Sequence, residues 1–282
     1  MRRPDKRPDG GGLTVNTVRE IFNEHKLYGR QILKLAKADL VKTYRGSALG
    51  WAWALVKPVV TIFVFWFAFS YGLRMGREID GFPFFLWLIA GFVPWFYMQS
   101  MITGGAGCIR ANNQLVTKMH FPASVVPTFV SISKLFINII LVVIMIVIFW
   151  AFGHPPTIYY LNIPVYMAMM FVWFTIWALF SGMLSAMSRD FLNLIKALSQ
   201  AIFWMSGIIY DVNSIDVHWI KSMLCYNPVT IIATGFRYTF VYQKWFFEDA
   251  YMLRCYFICL IVIIILAIWA YKKTYKDIPD VL

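Results

Sequence analysis

Six long apolar runs, near residues 51–73, 83–108, 122–152, 164–187, 193–210 and 251–271, contain no Asp or Glu at all. Their only charges are Lys57, Lys134, Lys196 and Arg254. A stretch of roughly 20 apolar residues is what an α-helix needs to cross a bilayer. Backbone groups in lipid must be satisfied within the segment, which a helix does by itself. The pattern therefore predicts an all-α polytopic membrane protein with six spans. Composition agrees, with 60% hydrophobic and 14% charged residues, against about a quarter charged in soluble domains.

An even number of spans puts both ends of the chain on one side. The first 57 residues hold 12 Lys/Arg against 5 Asp/Glu, and the tail YKKTYK is also basic. By the positive-inside rule both termini are expected in the cytoplasm of a plasma-membrane protein. The loops fit. IRANNQLVTKMH, assigned inside, carries Arg110 and Lys118 and no acid. The outside segment 74–80 is neutral, and the outside loop 153–163 has no Lys, Arg, Asp or Glu. The net charge of +12 is thus a membrane-flanking charge, not a nucleic-acid footprint.

Before the first span, MRRPDKRPDGGG reads as disorder, and residues 1–27 are expected to form a disordered cytosolic arm. Residues 28–45 read as a basic amphipathic helix lying in the interface. Ile32, Leu33, Leu35, Ala36, Leu40, Val41 and Tyr44 recur at helical spacing, with Arg30, Lys34 and Lys37 on another face. Residues 46–282 form the transmembrane domain. Residues 211–250 are too apolar for an open loop. Asn227-Pro228 breaks a helix there, and Arg237 would sit deep in a seventh span. Two short re-entrant helices between spans five and six are expected instead, and irregular backbone at that depth must be buried or line a cavity.

The missing carboxylates limit the chemistry. Ion-coupled transporters usually carry an intramembrane acid, and this chain offers none in its spans. It has no GxxxxGK[ST] phosphate loop, since GGAGC at 104–108 lacks the lysine. An energy-coupling ATPase would be a separate polypeptide. An enzyme would need a placed acid or histidine, yet His25, His120, His154 and His218 scatter over the tail and three loops. Asp211 and Asp216 read as loop residues. Cys108, Cys225, Cys255 and Cys259 form no CxxC pair and no metal set. A membrane-embedded glycosyltransferase-type enzyme or a channel stay as alternatives.

Five stretches carry a family likeness: YRGSALGWAWALVKP at 44–58, GLRMGREIDGFPFFLWLIAGFVPWF at 72–96, VTKMHFPASVVPTFVSISKLF at 116–136, SRD at 188–190 and NP at 227–228. They resemble the membrane subunit of ABC-2 type polysaccharide exporters, and most of all the wall teichoic acid translocation permeases. Lys57 departs from the family pattern, where the residue before the proline is more often uncharged. The resemblance implies a homodimeric permease with two P-loop ATPase subunits. ATP and Mg are bound by those partners, and this chain holds no cofactor. The implied cargo is a teichoic acid carried on undecaprenyl diphosphate. O-antigen or capsular polysaccharide is the alternative. It further implies that the interface helix and the loop between spans two and three dock on the ATPase. This gives Arg30, Lys34, Lys37, Arg110, Asn112, Asn113, Lys118 and His120 as candidate docking residues. Tyr44, Gly46, Gly50 and Pro58 read as a hinge into the first span. Arg45, Lys57 and Lys134 are candidates for an anionic headgroup. Trp66, Trp87, Trp173, Trp177 and Trp204, all mid-span, are candidate pathway aromatics.

Overall fold

The computed structural model describes residues 13–46, 49–72, 78–119 and 121–281. Among these the chain is helical, with one isolated two-residue bridge, Ile79 with Phe82, beside the first long loop. The helices are α1 (Leu13–Leu27), α2 (Gly29–Tyr44), α3 (Trp53–Phe67), α4 (Phe84–Ser100), α5 (Ala106–Ala111), α6 (Asn113–Thr117), α7 (Val126–Ala151), α8 (Asn162–Met187), α9 (Arg189–Trp204), α10 (His218–Cys225), α11 (Pro228–Phe240), α12 (Ala250–Thr274) and α13 (Ile278–Val281).

Five helical stretches among the described residues are long and apolar enough to cross a membrane: Gly50–Gly72, Phe84–Ala111, Ala123–Ala151, Ile158–Met187 and Ala250–Thr274. They match five of the six expected runs. The sixth, at 193–210, differs. Its helix, α9, starts earlier, capped by the Ser188 side chain, and has 16 residues before ending at Trp204. Gly207 follows in a left-handed conformation (φ 64°), and residues 205–210 are turns.

The stretch through α4 is the core of the bundle. In its most apolar window 78% of residues are buried, against 17% for the stretch through α3. Leu86, Leu88, Ala90, Phe92 and Met98 are fully inaccessible. Side chains on α4 meet α7 and α11, and α8 lies across α5, α7 and α12. Three hydroxyls stitch the apolar centre together. Tyr97 Oη lies 2.7 Å from Ser131 Oγ, Ser131 Oγ lies 2.6 Å from Thr175 Oγ1, and Thr175 donates to the Phe171 carbonyl. Interhelical hydrogen bonds of this kind substitute for the hydrophobic driving force that lipid does not supply.

The NP at 227–228 proves to be a helix start. Asn227 caps α11 by accepting from the Val229 N–H at 3.0 Å, and Pro228 occupies the first turn, where no N–H is needed. Residues 211–250 hold two short helices, α10 and α11, joined at that cap, and no single long one.

The chain before Tyr28 departs from the expected disordered arm. Residues 1–12 lie outside the described residues, but Leu13–Leu27 is helix and is held in place. Glu24 bonds Ser124 at the start of α7 and accepts from Tyr271 and Tyr275 at the end of α12, both at 3.4 Å. His25 Nδ1 donates to the Ile21 carbonyl, and its Nε2 meets Thr128 Oγ1 at 2.8 Å. Composition at the tip of this segment masked a helix that polar contacts to distant elements hold.

Candidate functional site

Helices α1 and α2, the α5–α6 segment and the ends of α7, α8 and α12 form a layer at one end of the bundle. Its apolar interior contains Ile32, Ala36, Val116, Phe121, Val126, Met183, Tyr271 and Ile278. Tyr28 packs edge-on against Phe121, with ring centroids 4.9 Å apart. The two segments expected to dock on a partner are thus joined into one body. Arg30, Lys34, Lys37 and Lys118 are exposed on it. Leu33 and Val41 are exposed too, so the buried stripe of α2 is narrower than the sequence pattern suggested.

Arg110 and Asn112 turn inward instead. The Arg110 guanidinium donates to the Ser185 and Ala186 carbonyls at 3.2 and 2.8 Å, which places a cation at the C-terminal end of α8. Asn112 Nδ2 donates to the Cys108 carbonyl at 2.9 Å and closes α5. Asn113 is half-buried, with its backbone carbonyl bonded by Thr117. His120 lies outside the described residues.

From this layer the chain turns into α3. Helix α2 stops at Tyr44, whose side chain lies outside the described residues, and the exposed Arg45 is extended (φ −68°, ψ 134°). Gly46 and Gly50 both have left-handed backbone, at φ 83° and 52°. An L side chain is disfavoured there by sterics with its own carbonyl. A Cβ at either glycine would meet no other atom within 4 Å, so backbone geometry alone selects them. Pro58 is buried inside α3.

Beside that turn is a cavity of about 550 Å³ walled by α2, α3, α4 and α7, with Thr43, Lys57, Tyr97, Ser100, Lys134 and Asn138 among its lining residues. Two of the three residues expected to meet an anionic headgroup therefore face one space, and Arg45 is not among its lining residues. Lys134 Nζ lies 3.7 Å from Asp39 Oδ2, an ion pair longer than a hydrogen bond, and donates to Thr43 Oγ1 at 3.2 Å. Lys57 has neither an ion pair nor a hydrogen bond among the described residues. Asn138 is buried. Its Nδ2 donates to the Val93 carbonyl at 2.7 Å, while its Oδ1 accepts nothing among the described residues.

A second polar node sits deep in the bundle. Arg237, on α11, is 2% exposed, and its guanidinium carbon lies 3.4 Å over the Trp87 ring. It donates to the carbonyls of Gly207 (2.6 Å), Tyr210 (3.4 Å) and Ile208, the turn that ends α9. Trp87 Nε1 donates to Tyr242 Oη at 3.1 Å, and Tyr242 donates to Asp211 at 3.2 Å. A methyl at Gly91 would lie 2.7 Å from Arg237 Nη2, so that glycine makes the space. Trp87 is consequently a buried platform and not a pathway aromatic. The other tryptophans do not share one space. Trp66 lines a cavity along α3, Trp173 and Trp177 stack on α8 at 5.9 Å, and Trp204 is half exposed. Sequence reasoning placed Arg237 deep but missed its role, because its acceptors are 27 to 30 positions away. Asp39 was missed as well, although an acid among the lysines of α2 was a visible signal.

An all-helical protein with five long apolar helices and an amphipathic layer at one end has the architecture of a multi-pass membrane protein. Residues 30–241 match the ABC-2 type transporter family, and the chain belongs to it. It is similar to the O-antigen export system permease protein RfbA of Myxococcus xanthus, at 26% identity over 264 residues, covering 93% of this chain and 96% of that protein. It is also similar to an O-antigen export system permease protein RfbA of Klebsiella pneumoniae, at 25% identity over 214 residues, covering 74% and 80% of the two chains.

Proposed function

We propose that this chain is the permease subunit of an ATP-driven exporter that moves a lipid-linked polysaccharide of the O-antigen type across the plasma membrane. The observation that carries the reading is near full-length similarity to a protein named as an O-antigen export permease. Teichoic acid, the polymer suggested by the sequence motifs, gives way to O-antigen because the relatives carry that name. The chain acts as one half of a homodimer. A separate ATPase binds and hydrolyses ATP with Mg.

The exposed cations Arg30, Lys34, Lys37 and Lys118 form the ATPase-docking face, on a layer rigid enough to transmit a push. Positive residues at that end support cytoplasmic termini and hence an even number of crossings. Helix α9 supplies the sixth. Leu192 lies beside Gly107, and the turn after α9 reaches Gly91 and, through Asp211 and Tyr242, Trp87. From Gly107 to Trp87 is twenty helical positions, or about 30 Å, the depth of a hydrocarbon core. Helices α10 and α11 then re-enter from the outer side.

The test is purification of the tagged protein from its native membrane in mild detergent, with the co-purifying chains identified and weighed. An ATPase at one copy per permease is the expected result. A homo-oligomer with no ATPase refutes the exporter reading.

A further inference from the structure

The cavity beside Lys57 does not end at Pro58. A second cavity, of about 640 Å³, shares Pro58, Phe96 and Leu141 with it, so the two form one groove along α3. The second part is apolar. Ile62, Phe63, Trp66, Ile144 and Ile148 line it, with Ser70 and Glu78 at the far end. The groove thus has a cationic head at the α2 end and an apolar length that follows α3. From Lys57 to Ser70 is thirteen positions, or about 20 Å of helix.

We propose that this groove binds an amphiphile with a phosphate or diphosphate head and a single long apolar chain. This rests on the exporter reading, since it assigns the lipid anchor of the cargo to a place in this chain. The head sits between Lys57 and Lys134. Lys57 supplies a cation that no group among the described residues uses. Lys134 is held by Asp39 at 3.7 Å, a distance at which a closer phosphate oxygen wins the ammonium. The Oδ1 of Asn138, although it accepts nothing among the described residues, is shielded from the cavity and takes no part in the head site. A head bearing anionic oxygens therefore meets both lysines at once. The apolar chain lies against Ile62, Trp66 and Ile144, where one flexible chain fits between α3, α4 and α7. Because Asp39 lies on α2, occupation of the head site loosens one polar tie between α2 and α7, while the apolar packing of the two helices stays. Loading is thereby reported to the docking face.

The test uses the full chain in phosphatidylcholine nanodiscs, titrated with farnesyl diphosphate and read by tryptophan fluorescence, since Trp53 and Trp66 line the groove. Saturable binding is expected. Lys57→Gln with Lys134→Gln weakens it about tenfold or more, the equivalent of about 1.4 kcal/mol per decade. Asp39→Asn removes the competitor and tightens binding several-fold, a gain that loss of a merely structural contact would not give. Ile144→Trp fills the apolar part and weakens farnesyl diphosphate. Inorganic pyrophosphate, lacking a tail, and farnesol, lacking a head, each bind far more weakly than the probe. Equal affinity in wild type and the double-lysine variant overturns the proposal. So does phosphatidylglycerol that displaces the probe mole for mole, which would make the groove an ordinary anionic-lipid contact. No tightening in Asp39→Asn overturns the exchange at Lys134. The assay contains no ATPase, so an ATPase found in the pull-down alongside a failed titration leaves the exporter reading standing and removes the groove.

Discussion

Replacing Arg237 by alanine tests whether the deep node holds α9, α4 and α11 together. The substitution leaves three carbonyls, of Gly207, Ile208 and Tyr210, without their donor, and takes the cation off the Trp87 face. Each buried group left unsatisfied costs about 1–3 kcal/mol. The desolvation cost of the guanidinium is recovered at the same time, so the net loss falls at about 3–5 kcal/mol. For a chain of this size that corresponds to a fall in the thermal transition on the order of 10 °C. Gly91→Ala attacks the same node from the other side. Its methyl lies 2.7 Å from Arg237 Nη2 and 2.9 Å from the Ile208 carbonyl, an overpacking cost of about 1–3 kcal/mol. Once Arg237 is gone, only the carbonyl clash remains, so the two substitutions are less than additive by about 1 kcal/mol. Arg237→Lys falls between wild type and alanine, since an ammonium keeps the charge but cannot fork across carbonyls. The assay is thermal unfolding in mild detergent, read by a thiol-reactive dye. Cys108 and Cys255 are buried and report unfolding, and the half-buried Cys225 and Cys259 are first replaced by serine. A transition for Arg237→Ala within about 2 °C of wild type, or strict additivity with Gly91→Ala, refutes the reasoning.

Three further predictions concern the other end of the bundle. Gly46→Leu together with Gly50→Leu imposes left-handed backbone on two L residues, at about 1–2 kcal/mol each. It should reduce export in whole cells while leaving ATPase capture in the pull-down unchanged; export at wild-type level removes the hinge. Lys34→Glu with Lys37→Glu should abolish ATPase capture at an unchanged thermal transition. Arg110→Gln, which loses the ends of α8, should instead lower the transition by an amount worth about 1–3 kcal/mol. The opposite pattern would exchange the roles assigned to these residues.

The spans were legible because lipid demands uniform apolarity over a fixed length, a signal that needs no partner. The α10–α11 pair was legible at Asn227-Pro228, where cap and proline are neighbours in sequence. What was not legible depends on contacts between distant positions. Helix α1 looked like part of a disordered arm because its anchors, Ser124, Tyr271 and Tyr275, lie at least 100 positions away from Glu24. Lys57 and Lys134 each stood out as a charge in an apolar run, but nothing in the sequence showed that they face one cavity. Arg237 was visible as an oddity, and its explanation lies in carbonyls, which no side-chain pattern records. Helix α9 covers only the first part of the expected run at 193–210, because it stops at Trp204 ahead of the left-handed Gly207.

The fastening at Glu24 has a consequence for biogenesis. Its partners Tyr271 and Tyr275 are 247 and 251 positions downstream. During synthesis, therefore, α1 is made early and waits for nearly the whole of the rest before the layer beneath the bundle can close. A chain that stops before Tyr271 keeps the Ser124 and Thr128 contacts of α1 but lacks the two tyrosines that complete its seat. The last turns of α12 thus complete this layer only after α1, α2 and the helices from α5 to α8 have been made.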